Sequence, residues 1–506
     1  MSPLLPRSTA RIGRTVLAAT AVAVVSALAL TGCTGSSNED GGADATVRVG
    51  LVLEPTSLDI RTQSGAALDQ VLIDNVYQGL VGRTASGDVR DVLASSHEVS
   101  SDGLTYTFTL RKGTTFQDGE DVTADDVVWS LQQVKSNTSY VDSAQLANVT
   151  SITSPSDSTV VLKLAKPDSD LLWNLTGRAG LVLERAAKND LSDTANGTGP
   201  YEVSSWKQGD SLTFTRNADY WGSRAKVAKV VFRYITQPST AVNAMANGDL
   251  DVQTSVDGTL KSQLQGNSDI ALHTGKTTDK YTLAFNNRKA PFTDEKVRRA
   301  IRQAIDSKAI IKAIGGTGVE QGGPIPELDP GYQDLTDIDA YDPSNAKKLL
   351  SEAGATNLKL TLTYANIYSA TIGDVLKSQL ADVGITLTVK RVDFATWLSQ
   401  VFEKHDFDLS MVNHVESRDF GNWANPDYYF GYDNPEVQSL YADSVAATSE
   451  SEKVADLQKA AKIVSEDAAG EWLYTATSIT AVRKGVTGVP YNGTNSRLDL
   501  SKLAVK

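Results

Sequence analysis

Residues 101–119 read Ser101-Asp102-Gly103-Leu104-Thr105-Tyr106-Thr107-Phe108-Thr109-Leu110-Arg111-Lys112-Gly113-Thr114-Thr115-Phe116-Gln117-Asp118-Gly119. From Thr105 to Arg111 polar and apolar positions alternate. Tyr106, Phe108 and Leu110 fall on one face and Thr105, Thr107 and Thr109 on the other, the period of a half-buried strand. Lys112-Gly113 and Asp118-Gly119 each turn the chain. Thr123, with Asp126 three residues later, then makes a capping-box-like start for a helix through Val127, Val128 and Leu131.

Moving outward, the pattern changes to repeating strand and helix. Thr293 is placed to cap a helix whose Val297, Ala300, Ile301, Ala304 and Ile305 share one stripe, with Arg298, Arg299 and Arg302 expected on the solvated side. Asp342-Pro343 marks a second helix start, an N-cap followed by proline at the first helical position, and Gly354 ends it. A strand over Leu358 to Tyr364 follows. Next comes a helix with Ile372, Leu376, Leu380 and Val383 on one face, closed by Gly384, and then alternation at Ile385, Leu387 and Val389. Strand, helix, strand at this spacing is a βαβ unit, so this part is expected to be an α/β lobe. The sequence shows no repeat at solenoid period.

The first residues carry an address. Arg7, Arg11 and Arg14 form a positive region without acids, and Val16 to Leu30 is an apolar run short of the ~20 residues of a membrane span, so residues 1–32 read as a signal peptide. Leu30-Thr31-Gly32-Cys33 has the shape of a bacterial lipobox, and Cys33 is the only cysteine among 506 residues. Lipidation of Cys33 explains a lone thiol without a disulfide. Residues 33–45, small and polar, are expected to act as a flexible tether, with the folded body beginning near Thr46 on the outer face of the cytoplasmic membrane.

The formal charge is −13; without the three leader arginines it becomes −16. That balance argues against nucleic acid and against adhesion to anionic headgroups. A body of ~470 residues exceeds one hydrophobic core, so two or three domains are expected. Catalytic motifs are missing. There is no G-x-S-x-G elbow, His97-Glu98 lacks the second histidine of H-E-x-x-H, and Gly275-Lys276-Thr277 has Ile270 where a phosphate-binding loop needs its first glycine. The four histidines, His97, His273, His405 and His414, show no spacing for shared metal ligation. No enzyme activity, cofactor or metal is expected.

Several segments together resemble one family. Gly79-Leu80-Val81, Asp91-Val92-Leu93-Ala94, the 101–113 segment through Phe116-Gln117-Asp118-Gly119 and Thr123-Ala124-Asp125-Asp126-Val127 look like the signature region of the family 5 extracellular solute-binding proteins, the peptide and nickel class. Gly197-Thr198-Gly199-Pro200-Tyr201, Asn217-Ala218-Asp219-Tyr220-Trp221-Gly222, Asp294 to Asp306 and Tyr341 to Gly354 are similar to further blocks. The resemblance implies an α/β, periplasmic-binding-protein-like two-lobed fold with a hinge and an additional α+β domain. By analogy, lobe I takes 46–82, 199–285 and 478–506, the extra domain 83–198, and lobe II 286–477. It also implies a monomeric carrier that closes over a solute, most simply a short peptide, and hands it to an ABC permease.

In peptide-binding members an aspartate receives the peptide amine, and the matching loop here runs from Asn413 to Tyr429. Aligned on Asn425-Pro426-Asp427, that aspartate falls on Asn422, which cannot neutralise an ammonium. Either Asp419 or Glu416 replaces it, or the ligand has no free α-amine. Arg418 can receive a carboxylate or pair with its acidic neighbours. Trp423 and Tyr428 can stack on a ligand or pack the loop down. Asn413, which opens that loop, is a further candidate; the strand from Tyr281 to Asn286 resembles the family segment that crosses between lobes, which adds Tyr281 and Asn286 as pocket candidates, with Glu54 to Asp59 weaker. An oligosaccharide or other uncharged solute is the rival cargo; nickel or haem suits so few histidines poorly. A surface hydrolase and a peptide-signal receptor are the readings from other classes.

Overall fold

Two long antiparallel strands, Ile270–Phe285 and Gly470–Arg483, form the middle of a mixed sheet in a computed structural model that describes residues 44–63, 65–84, 86–187, 190–493 and 497–506. The leader, Cys33 and nearly all of the tether lie outside the described residues. On one side of the pair come, in order, Leu409–His414, Lys359–Ala365 and Thr386–Val392. On the other come Val252–Gln253, Thr46–Leu51, Lys229–Tyr234, Ser211–Arg216 and Tyr201–Lys207.

The long pair shifts register partway. Ile270–Lys276 pairs with Thr477–Arg483 and Lys280–Ala284 with Gly470–Thr475, and the register shifts between Lys276 and Lys280. Such irregularities bend and twist a ladder locally, here at the boundary between the two halves of the sheet. Gly275 sits just before it, where a Cβ would lie 1.8 Å from the Tyr491 carbonyl oxygen. The Gly275-Lys276-Thr277 triplet is therefore strand, and its glycine lets the C-terminal segment approach the backbone closely.

Each half has its own core. Val49, Leu72, Phe214 and Phe232 pack with Leu498 and Leu500 beneath one. Leu283, Leu362, Leu376 and Leu409 fill the other, beside an aromatic layer of Trp423, Tyr429, Phe430 and Trp472. A third core, with Phe108, Val127, Leu131 and Leu162, belongs to a four-stranded antiparallel sheet ordered Ala94–Val99, Thr105–Leu110, Thr159–Leu164, Val149–Ser156, against which the helix Ala124–Ser136 packs. Two sheet halves joined by crossing strands, plus a separate α+β unit, make the periplasmic-binding-protein-like architecture.

Local chemistry accounts for the elements. Tyr106, Phe108 and Leu110 are buried as the alternation requires. Thr123 Oγ1 accepts from the Asp126 amide at 3.2 Å while Asp126 Oδ2 accepts from the Thr123 amide at 3.0 Å, a complete capping box. The βαβ unit is present as Lys359–Ala365, helix Ala370–Asp382 and Thr386–Val392, paired in parallel.

Two expectations are corrected. The helix Glu295–Gln303 is capped by Asp294, whose Oδ1 accepts from the Lys296 amide at 2.9 Å, and not by Thr293. Its arginines are also not on a solvated face. Arg302 is buried with Nε 3.0 Å from Glu471 and Nη1 3.4 Å from Asp339, and Arg298 donates to the carbonyls of Asp467 and Ala468. Both groups of acceptors come from more than 30 residues away in the chain, so helical periodicity carries no sign of them.

Candidate functional site

One ladder sorts the candidate residues onto two faces. Tyr281 lies opposite Asn413 and Lys280 opposite His414 in the antiparallel pairing of Ile270–Phe285 with Leu409–His414. Successive side chains of a strand point to opposite sides. Tyr281 and Asn413 therefore share one face with Asp279, and Lys280 and His414 share the other.

The first face borders a cavity of about 460 Å³ between the halves of the molecule. Asp279 and Tyr281 line it from the crossing strand and Tyr474 and Thr477 from its partner. Thr254 and Tyr491 contribute from one half and Thr317 and Thr371 from the other. The floor is aromatic and the walls are rich in hydroxyls, a composition able to hold a polar, extended ligand by hydrogen bonds and ring contact. Tyr281 stacks on Tyr474 with centroids 4.5 Å apart and meets the edge of Tyr368 at 5.8 Å. Burial pushes the Tyr281 hydroxyl up to about 12, so it is a neutral donor at physiological pH.

The second face holds a closed polar cluster. The Lys280 ammonium donates to the carbonyls of Thr278 at 3.1 Å and Glu416 at 2.7 Å and pairs with Asp419 Oδ1 at 3.1 Å. All three of its protons are thereby used. Burial raises the Asp419 carboxyl above its ordinary range, opposed by Lys280. The same burial, with the lysine charge adding to it, pushes His414 down to about 4, leaving it neutral beside the Tyr429 hydroxyl at 3.3 Å. His414, Glu416 and Asp419 bring potential metal-ligand atoms within 4.8 Å of one another. The ammonium already seated on Asp419 opposes a cation there, so the cluster reads as a structural ion pair.

The other candidates spread out. Glu416 is exposed, with its carbonyl committed to Lys280. Arg418 has a positive φ of 60°, its amide donates to Asp329 at 2.7 Å, and its guanidinium lies 4.0 Å from the Trp173 ring centre with Nη1 3.6 Å from Asp170. Trp423 stacks on Phe430 at 4.0 Å and faces Trp472 at 5.2 Å, inside the aromatic core. Tyr428 packs among Phe402, Tyr429 and Phe430. Asn286 is buried and donates to the carbonyls of His405 and Phe407. Asn422 ends a short 3-10 turn and is half-buried. Glu54 accepts from the Gly209 amide and Asp59 pairs with Arg61 at 2.8 Å. Of these candidates only Tyr281 lines the cavity, with Asn413 directly across the ladder.

Asp279, Tyr368, Tyr474 and Arg497, the last of which also lines the cavity, went unnoticed in the sequence. Asp279 had a signal, its position two residues before Tyr281 in an alternating strand. Arg497 had none, because its partners, Asp74 at 3.7 Å and the Thr176 carbonyl at 2.8 Å, are more than 300 residues away.

Residues 88–437 match the model for the middle part of the bacterial extracellular solute-binding proteins, family 5. A putative ABC transporter peptide-binding protein of Brucella ovis is 31% identical over 352 residues, covering 66% of this chain. The match spans 64% of that relative's own length. A probable D,D-dipeptide-binding periplasmic protein of Escherichia coli is 26% identical over 482 residues, 88% of this chain and 91% of the relative. Among solved structures, the ABC transporter substrate-binding protein CtaP of Listeria monocytogenes superposes with a TM-score of 0.82 at 21% identity, covering 92% of this chain and 99% of that one. Among the described residues no helix is long and apolar enough to cross a membrane.

Proposed function

The chain belongs to the bacterial extracellular solute-binding proteins of family 5, and from that membership we propose that it captures short peptides between its two lobes and delivers them to the permease of an ABC importer. The observation that carries this reading is the cavity of about 460 Å³ lined from both halves and floored by the crossing strands. A ligand held there touches both lobes at once, so it stabilises a closed form in proportion to its differential contacts. Resemblance to a putative peptide-binding protein of Brucella and a probable D,D-dipeptide-binding protein of Escherichia coli favours peptides over other solutes.

Lobe I takes 46–82, 199–285 and 478–506, the extra domain 83–198 and lobe II 286–477 in this reading; three separate cores support a division into three parts, although Leu80, Val81, Leu181 and Leu183 pack across the first of these boundaries. The carrier acts as a monomer without catalysis or cofactor. A lipid on Cys33 holds it at the outer face of the cytoplasmic membrane, and tethering beside a permease raises the effective concentration of loaded carrier.

The test is thermal unfolding of the purified protein with and without a mixture of di- to pentapeptides. A ligand at 100 times its Kd adds about 2.7 kcal/mol to the folded state, so the melting temperature rises. An unchanged melting temperature with every peptide, alongside a rise with oligosaccharides, would replace peptide by sugar as the cargo.

A further inference from the structure

Asp279 is a carboxylate in the wall of the cavity, and among the described residues no cationic side chain forms an ion pair with it. Its lysine neighbour in the chain, Lys280, points to the opposite face and is spent on Asp419 and two carbonyls. The Asp279 amide donates to Thr277 Oγ1 at 3.1 Å, and the polar Asn413 side chain favours the ionised form of its carboxyl. Burial raises its carboxyl above the ordinary range, the sign of an acid short of compensating charge. Asn413 Oδ1 is buried and accepts no hydrogen bond in the structure. A buried acceptor left unpaired costs free energy that a ligand donor recovers.

A cluster of three aromatic rings is built around Tyr281, two residues along the strand from this acid. Tyr281 shares its face of the strand, Tyr474 stacks on Tyr281, and Tyr368 meets Tyr281 edge-on. Tyr281 and Tyr474 line the cavity together with the Asp279 carboxylate. A carboxylate among tyrosine rings is a receptor for a positive charge, through the ion pair and through the ring faces.

We infer that Asp279, Asn413, Tyr281, Tyr368 and Tyr474 form a subsite for a cationic group of the ligand that bears N–H protons, a primary ammonium above all. The free acceptor on Asn413 selects for N–H over a quaternary ammonium, which has no proton to give. The inference rests on solute capture in this cleft and adds that the bound solute is positively charged at one end. Asp419, already neutralised by the protein's own lysine, is not where that charge goes.

Calorimetric titration of the wild type and of Asp279→Asn with trialanine, N-acetyl-trialanine, spermidine and choline tests it. The wild type is expected to bind trialanine and spermidine, with N-acetyl-trialanine and choline on the order of 30-fold weaker or worse. Asp279→Asn, which keeps the shape and removes the charge, erases that preference. Asn413→Ala weakens it partially and guards against a folding defect in the first variant. Equal affinity for free and acetylated trialanine, or a preference that survives Asp279→Asn, overturns the subsite while leaving peptide capture intact. Binding of spermidine but of neither peptide, lost in Asp279→Asn, upholds the subsite and removes peptides as the cargo. If none of the four binds, both readings fall.

Discussion

Lys280 and Asp419 form an ion pair 3.1 Å apart, with the lysine side chain 3% exposed. Breaking a buried pair from one side strands the other charge, which costs about 3–5 kcal/mol. Lys280→Met is therefore expected to lower the free energy of unfolding in urea by about that amount. Lys280→Met combined with Asp419→Leu is expected to recover much of it. A loss below about 1 kcal/mol in the single variant would mean that the pair is not buried in solution.

His414 gives stability a pH dependence. Its folded value, about 4, lies below the ordinary 6.5, so folding holds the imidazole neutral. The unfolded chain binds more protons between those values, and stability falls as pH drops through that window. The shift corresponds to a loss on the order of 3 kcal/mol at pH 4 relative to pH 7. Asp419 and the neighbouring Asp279 have raised values and act in the opposite direction at lower pH. The comparison is therefore wild type against His414→Gln in urea unfolding at pH 7, 5.5 and 4.5, with the difference between them shrinking as pH falls.

The extra domain is fastened to the second lobe by a small contact. Lys453 Nζ lies 2.6 Å from Asp170 Oδ1, the Ser169 amide donates to the Val445 carbonyl at 2.8 Å, and Arg418 lies over Trp173. The Lys453 side chain is 4% exposed. Asp170→Asn leaves that ammonium without its carboxylate and is expected to cost about 2–4 kcal/mol. Limited proteolysis checks where the cost falls: cleavage near residues 166–170 should quicken in the variant while cleavage elsewhere does not.

Arg302 provides a similar test in the second lobe. Its guanidinium joins Glu471 at 3.0 Å and Asp339 at 3.4 Å and donates to the Ser465 carbonyl at 2.5 Å. Arg302→Met is expected to destabilise by about 3–5 kcal/mol, measured by urea unfolding. A surface arginine, which the helix period alone suggests, would cost almost nothing.

That contrast shows how far the sequence could be read. The strand Thr105–Leu110, the capping box at Thr123 and the βαβ unit from Lys359 to Val392 depend on residues within a few positions of each other, and all are present. The loop from Asn413 to Tyr429 could be placed but not resolved into roles. Whether Asp419 faces a ligand or a lysine depends on Lys280, 139 positions earlier, and on one-residue parity in a strand pairing. Trp423 followed the packing alternative because Phe430 and Trp472 close on both sides of its loop. Asp279 was legible only as a strand-mate of Tyr281, because the cavity it lines with Tyr474 and Thr477 is assembled by tertiary structure.

Native mass spectrometry of the protein as purified tests peptide capture most directly. Adducts with the masses of short peptides are expected, removed by unfolding and refolding and restored by adding a peptide mixture. Adducts with masses of sugars or metal chelates, or refolded protein that takes up no peptide, would contradict it.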